Sequence, residues 1–424
     1  MAGPDSARVA EAAWRMEGAR IIGALARMLR DVGLAEELAQ DALLQALESW
    51  PVAGVPDNPA AWLTQVAKRR ALDHLRHQAL HREKEAAITW EEETRLQDAQ
   101  AAPDAALEQE DIGDDLLRLM FVACHPVLST EGRAALTLRM LGGLTTSEIA
   151  RAFLVAESTV AQRIVRAKRS LAEARVPFEV PHGDERRARL ASVLQVIYLL
   201  FNEGYSASAG DDWLRPQLCE EALRLGRILA ELMPEEGEVH GLVALMEIQS
   251  SRSRARVDAA GKPVLLMDQD RSRWDQLLIR RGLAALERAA TQGSYGPYAL
   301  QGAIAACHAR AVRAEDTDWT RIAALYEALA ALTPSPVVEL NRAVAVSMAY
   351  GPAAGLELAD RLQDEPALRD YHLLPSVRGD LLAKLGRAAE ARAEFERAAA
   401  LTRNLREREL LLARANSCTR QLSS

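Results

Sequence analysis

The stretch LLMDQDRSRWDQ, residues 265–276, sets Asp268, Asp270 and Asp275 around Arg271, Arg273 and Trp274 in a chain otherwise rich in alanine and leucine. Two kinds of chemistry need such residues so close together. An Asp-x-Asp pair such as Asp268/Asp270 can begin an oxygen-donor site for a divalent cation, but these sites want about six ligands and no histidine stands near to help complete one. The other chemistry is helix capping. Ser272 followed three residues later by Asp275 has capping-box spacing. Asp268 and Asp270 would stand ahead of the helix's positive end, where negative charge is worth a few tenths to about 1 kcal/mol. Trp274, Leu277 and Leu278 would form its buried face, and Arg271 and Arg273 would pair with the aspartates to fix the lead-in loop. Capping is the preferred reading, ahead of a recognition surface for a partner, with a metal site third.

The elements that position these residues are helices. The chain of 424 residues holds two to four domains, and its 49% hydrophobic, 26% charged and 4% aromatic composition leaves too few β-branched and aromatic residues for large sheets. The fold class is all-α. Cys124, Cys219, Cys307 and Cys418 are far apart and form no CxxC pair, which argues against a zinc site or disulfide scaffold and for a reducing cytoplasm. The longest apolar run, residues 196–201, is far too short to span a bilayer, and the first residues lack the apolar core of a signal peptide. No P-loop, GxGxxG, HExxH or nucleophile elbow is present, so no enzyme, cofactor or metal is expected.

The net charge of −8 means that any contact with nucleic acid must come from local patches, and charge does segregate. Residues 62–84 carry six Lys/Arg against two Asp/Glu, residues 85–115 one against eleven, and residues 151–175 six against two. Ahead of the first basic block, Ile21, Ile22, Leu25, Met28 and Leu29 recur at helical spacing, and a second helix from Leu34 is expected to stop before Pro51. Asn58 and Pro59 then read as the N-cap and first position of a third helix. Residues 145–153 and 157–174 form two helices joined by a short turn, which is helix-turn-helix spacing. Val160, Ile164 and Leu171 would face inward, with Thr159, Gln162, Arg163 and Arg166 outward.

From residue 188 to 420 the pattern is one of helix pairs. LGRILAELMPEE (225–236) and LYEALAALTPSP (325–336) coincide at Leu225/Leu325, Leu229/Leu329, Ala230/Ala330, Leu232/Leu332 and Pro234/Pro334, an offset of 100 residues or about three tetratricopeptide lengths. Gly379, Leu382, Gly386, Ala391, Phe395 and Ala398 fall at the small and large positions of such a repeat. An α-solenoid-like domain is the expectation.

The two basic blocks in this order resemble the sigma-70 family of RNA polymerase sigma factors, in particular the compact extracytoplasmic-function group that keeps only regions 2 and 4. AEELAQDALLQALESWP resembles region 2.2, NPAAWLTQVAKRRALDHLR regions 2.3 and 2.4, and LTTSEIARAFLVAESTVAQRIVRAKRSL region 4.2. The helical remainder is similar to the tetratricopeptide-type extension of one subgroup. The resemblance implies region 2 over 10–84, an acidic linker over 85–112, region 4 over 113–178 and the extension over 188–420. It implies core RNA polymerase as partner through Glu37, Leu38, Gln40 and Asp41. Promoter −10 DNA would meet Asp57, Asn58, Lys68, Arg69, Arg70 and Arg76, with Trp62 more a core residue than a base-stacking one. The −35 element would be read by Ser158, Thr159, Gln162 and Arg163, with Arg166, Lys168 and Arg169 on phosphates. The acidic linker would thread the polymerase's RNA channel in preference to serving as a solvated tether. The turn departs from the family pattern, with Leu154 where glycine is usual and Ala156 where a capping serine is usual. Asp268, Asp270, Arg271, Arg273 and Trp274 become the marked stretch of a regulatory extension, with a small regulatory protein as its candidate partner.

Two rivals stand beside this reading. One is a helix-turn-helix regulator with tetratricopeptide repeats that binds duplex DNA without acting as sigma. The other is a metal-dependent enzyme built on Asp268 and Asp270.

Overall fold

Ile21, Ile22, Ala24, Leu25 and Ala26 are all buried, so helix α1 (Pro4–Leu29) has lost its polar face altogether at this level. A helix apolar on every side must be surrounded. It is: α2 (Val32–Ala53), α3 (Pro59–Ala86), α4 (Gln109–Ala123) and α5 (Thr130–Met140) all pack on α1. The computed structural model describes residues 4–86, 109–153, 155–205, 215–258, 264–293, 295–402 and 404–422. Most of the acidic spacer, residues 87–108, therefore lies outside the described residues. Regular structure among the described residues is helical throughout, in two units, Met1–Val196 and Ile197–Ser424.

Helix α2 does not stop before Pro51, as the sequence suggested, but carries it inside its last turn. Proline there costs only one late hydrogen bond, and Gly54, at φ +89°, ends the helix by donating its N–H to the Trp50 carbonyl at 3.0 Å. Asn58 does cap α3, its Oδ1 accepting the Ala61 N–H at 3.0 Å.

The first unit continues through α6 (Thr146–Phe153), α7 (Glu157–Glu173) and α8 (Gly183–Tyr205), the division into units falling within α8. Charged groups pin α4, α5, α6 and α7 to α1 and α2. Glu36 on α2 is 4% exposed; its Oε1 accepts from Arg139 Nε of α5 at 3.0 Å, and its Oε2 from Lys168 Nζ of α7. Buried Asp115 on α4 meets Arg118 at 2.7 Å and Arg27 of α1 at 3.2 Å. On the surface Arg15 reaches Glu148 at 2.6 Å.

In the second unit α9 (Pro216–Leu232), α10 (Gly237–Ser251), α11 (Gln276–Thr291), α12 (Pro297–Arg310), α13 (Trp319–Leu332), α14 (Pro336–Tyr350), α15 (Pro352–Asp360), α16 (Leu373–Lys384), α17 (Ala388–Leu401) and α18 (Leu405–Leu422) each pack on the next. The 100-residue internal likeness is visible where α9 and α13 end. Met233 and Thr333 share φ −134°, and each returns its N–H to the carbonyl of the buried leucine four residues back, Leu229 or Leu329, before Pro234 or Pro334 forbids continuation. In the last pairs Gly379 faces Phe395 so closely that a Cβ would come within 2.9 Å of the ring. All four cysteines are free and buried, and burial pushes the thiols of Cys124 to about 11 and Cys219 to about 12.

Two consequences are measurable. Glu36→Ala leaves two cations facing a lost carboxylate and is expected to destabilise the first unit by about 3 kcal/mol in urea unfolding. The double variant Glu36→Gln/Lys168→Met should lose less than the sum of its singles, and strict additivity would show that the contact carries no energy. Gly379→Ala gains about 1 kcal/mol of helix propensity but overpacks against Phe395 by about 1–3 kcal/mol, so a net loss is expected.

Candidate functional site

Helix α7 shows two faces. Val160, Ile164, Ala167 and Leu171 are buried at spacings of three and four. Ser158, Gln162, Arg166 and Arg169 are exposed, while Thr159 and Arg163 are half-buried. Its partner α6 is fixed by a true capping box: Thr145 N–H donates to Glu148 Oε2 at 2.8 Å and Glu148 N–H to Thr145 Oγ1 at 3.1 Å. Burial alone would raise the Glu148 carboxyl, but the Thr145 hydrogen bonds and the Arg15 and Arg151 charges hold it below the usual carboxylate range. Leu154 in the turn lies outside the described residues. Ala156 is the N-cap of α7, extended at φ −64° and ψ 145°, and offers no side-chain cap.

One contributor was not named from the sequence. Arg163, Arg166 and Ser170 of α7 share a groove with Ser129 and Gly132 at the start of α5, whose N-cap Ser129 accepts the Gly132 N–H at 3.1 Å. Two guanidiniums beside the positive end of a helix suit a phosphate. The signal was present as Ser129-Thr130-Glu131, a helix-start pattern, but its nearness to α7 is a tertiary fact.

Lys168, expected on phosphate, is placed elsewhere. Its ammonium lies on Glu36 and within 3.4 Å of the Gly33 carbonyl. Arg169 is outward, paired with Glu173 one turn on at 2.6 Å, and that hydrogen bond and charge raise its guanidinium above its ordinary value. Beyond Lys168 a cleft of about 1000 Å³ is lined by Arg27, Arg30, Arg118 and Arg175 with Asp31 and Glu179.

On α2 and α3 the structure joins two groups that the sequence kept separate. Asp41, expected to face polymerase, pairs with Arg70, expected to face DNA, at 3.0 Å, and Arg70 also reaches Gln45 at 3.2 Å. Glu37 is exposed, and Leu38 and Gln40 are half-buried. Arg69 and Asp57 are exposed, Lys68 is half-buried, and Arg76 pairs with Asp73 at 3.3 Å. Trp62 is half-buried with its ring edge-to-face on buried Trp50, centroids 5.3 Å apart. Leu44, Val52, Val55, Leu72 and Leu75 are exposed apolar side chains on these two helices and their connection, a feature the sequence reading passed over.

The stretch 265–276 departs from its expected geometry. Ser272 and Asp275 form no capping box. Asp275 is itself the N-cap of α11, its Oδ1 accepting from Leu277 N–H at 2.9 Å and Leu278 N–H at 3.1 Å. Asp270 caps a separate short turn, Arg271–Arg273, by accepting from the Ser272 N–H and hydroxyl, and these bonds hold its carboxyl below the usual range. Extended Trp274 separates the two turns, which is why the four-residue box cannot close. Arg271 does not pair with the aspartates. It donates to the carbonyls of His308 at 2.5 Å and Ala311 at 2.8 Å and to Thr317 Oγ1 at 3.0 Å. Trp274 is buried, but Leu277 is 56% exposed, and Ile279 takes the core position instead. Asp268 and Arg273 are exposed. Among the described residues no cluster of three or more His, Cys, Asp or Glu is arranged to hold a metal, and no helix is long and apolar enough to cross a membrane.

Three stretches of the chain match known families. Residues 14–80 match the family model of sigma-70 region 2, residues 118–171 that of sigma-70 region 4, and residues 189–290 a family of unknown function (DUF6596). An uncharacterised protein of Rhizobium meliloti is 47% identical over 91% of this chain and 90% of its own length. The ECF RNA polymerase sigma factor SigK of Mycobacterium ulcerans is 31% identical over 36% of this chain and 78% of its own length, and the SigK of Mycobacterium bovis is 30% identical over 40% and 87%. The crystal structure of yeast Tom70 aligns at a TM-score of 0.38 and 11% identity, covering 98% of this chain and 85% of that one. With the region 2 and region 4 matches in order and most of a SigK covered, the chain belongs to the sigma-70 family of RNA polymerase sigma factors, in its extracytoplasmic-function group.

Proposed function

We propose that this sigma factor binds core RNA polymerase and directs it to promoters through the residues placed above. The observation that carries the −35 assignment is the two-faced α7, apolar on one side and set with Ser158, Gln162, Arg166 and Arg169 on the other. Gln162, Arg163, Ser158 and Thr159 read base edges in the major groove, while Arg166 and Arg169, with the start of α5, hold phosphates. Lys68 and Arg69 hold the −10 strand by its backbone, joined by Arg70 and Arg76 once these exchange their solvent-screened Asp41 and Asp73 pairs for phosphate, and Asp57 and Asn58 sit in the loop ahead of them. Glu37, Leu38, Gln40 and Asp41, with exposed Leu44 beside them, form the polymerase-facing side of α2. The sigma role involves no bond chemistry by this chain, since the polymerase supplies the active site.

The Lys168–Glu36 contact adds a conformational term. One ammonium cannot neutralise both Glu36 and a phosphate, so Lys168 contributes to promoter binding only after the first unit opens. The helical extension is the regulatory part of the chain, acting in cis, and a small regulatory protein is a second route of control through the same repeats.

The test is run-off transcription with bacterial core polymerase on a promoter selected with the full-length protein. Core-dependent initiation is expected, and its absence on every selected template would overturn the assignment. Within an active system, Arg166→Ala and Arg169→Ala should each weaken holoenzyme binding evenly across sequences and lower the salt slope by about 1. Gln162→Ala should instead relax preference at one −35 position, by about 1–3 kcal/mol of discrimination.

A further inference from the structure

Seven side chains in the second unit form a ladder of alternating cations and rings. Arg256 lies with its guanidinium carbon 3.6 Å from the centre of the Tyr205 ring, and Arg252 stands 5.9 Å from the same ring. Arg252 is also 5.5 Å from the Trp274 ring, and Arg271 is 4.9 Å from that ring. Arg271 then bonds the His308 carbonyl, and the His308 ring meets Trp319 edge-on at 5.1 Å. The ladder places two guanidiniums against one buried indole.

Two of its three arginines, Arg252 and Arg271, stand without an ion pair among the described residues. Among these residues every hydrogen bond from the Arg271 side chain goes to a neutral oxygen. The carboxylates that Arg271 feels most, Asp316 and Glu315, lie beyond contact, and both are engaged by Arg313. Burial, with the Arg252 charge added to it, pushes the Arg271 and Arg256 guanidiniums below their ordinary values. His308, buried and facing Arg252 and Arg271, is pushed down to about 4. Guanidinium does not deprotonate in a protein, so the positive charge stays. A cation–π contact offsets only part of the cost of desolvating it.

Hydrogen-bonding capacity is unspent at the same place. Among the described residues Arg252 Nε, Arg271 Nε, Trp274 Nε1 and His308 Nδ1 are buried without a hydrogen-bond partner, and Trp274 is 3% exposed. Buried polar groups are paired in folded proteins with few exceptions, and each exception needs a reason. Water would satisfy the N–H groups but not the charge. An oxyanion satisfies both, and the planar fork of arginine matches the oxygens of phosphate or carboxylate. Arg252 and Arg271 are only partly buried, which leaves such a group a way in.

We propose that Arg252, Arg271 and Trp274 form an oxyanion site in the helical extension, which takes a phosphate or carboxylate group of a small molecule on its two guanidiniums beside the Trp274 N–H. The site gives the LLMDQDRSRWDQ stretch its purpose: Asp270 and Asp275 shape two turns so that Arg271 and Trp274 face Arg252.

The test uses the full chain and three probes, inorganic phosphate, pyrophosphate and succinate, titrated by calorimetry and by thermal melting at constant ionic strength held with potassium chloride. At least one probe should bind saturably and raise the melting temperature where chloride does not, and the one that saturates first tells phosphate chemistry from carboxylate. Arg252→Gln should raise the apparent Kd about tenfold or more, the loss of one charge-assisted hydrogen bond. Trp274→Phe keeps the packing and removes the N–H, so it should weaken binding while the chain stays folded. Arg280→Gln, an exposed arginine on α11, should change nothing. Absence of saturable binding by all three probes, or unaltered binding in both Arg252→Gln and Trp274→Phe, would overturn the site.

Discussion

The Glu36 carboxylate governs the N-terminal half of this molecule. A charge taken almost wholly out of water is tolerated only when it is closely paired, and Glu36 is paired twice, with Arg139 from α5 and Lys168 from α7. Those two cations belong to helices more than a hundred residues downstream. The contact therefore joins the part of the chain that resembles a polymerase- and strand-binding bundle to the helix-turn-helix. Aliphatic side chains fill the core around α1, but the attraction between apolar surfaces is non-directional. It is the fixed geometry of the carboxylate that sets how α7 lies on α2, and with it which basic residues face solvent.

The same electrostatic rule, with the sign of the deficit reversed, organises the C-terminal unit near Trp274. There two arginines flank one indole with no carboxylate in ion-pair contact among the described residues, and the backbone of residues 268–275 is spent on two consecutive caps that hold the arrangement. The two regions illustrate how a protein of net charge −8 can still present concentrated positive charge: what counts is where the acids are placed, not how many there are.

Much of the fold was legible in the sequence because it depends on local rules. The inward residues of α7, the Asn58–Pro59 start of α3 and the paired endings near Pro234 and Pro334 follow from helical period and from what proline cannot do. The family resemblance was legible for a related reason, since basic blocks and their order survive in composition. What could not be read were facts of distance. Nothing near Lys168 in the sequence announces Glu36, and nothing near Arg271 announces the carbonyls of His308 and Ala311. The capping-box reading of Ser272 and Asp275 failed because spacing alone does not tell whether the residue between, here Trp274, will stay helical; its ring is drawn into the Ala255–Ile279 core and its backbone extends. Pro51 misled in the opposite direction, because a proline in the last turn removes only a bond that fraying already weakens.

The four cysteines carry a chemical consequence. Nucleophilic attack on an oxidant requires thiolate, and thiolate requires water or a nearby positive charge to stabilise it. Cys124 sits against Thr137 in one core and Cys219 against the Phe201 carbonyl in the other, both held as neutral thiols by burial, while Cys418 of α18 lies in the core it shares with α16 and α17. In the folded chain these sulfurs behave as small apolar side chains. Peroxide or disulfide reagents would find them only during local unfolding, so the rate of thiol labelling in the native protein reports how often each core opens, one helix pair at a time.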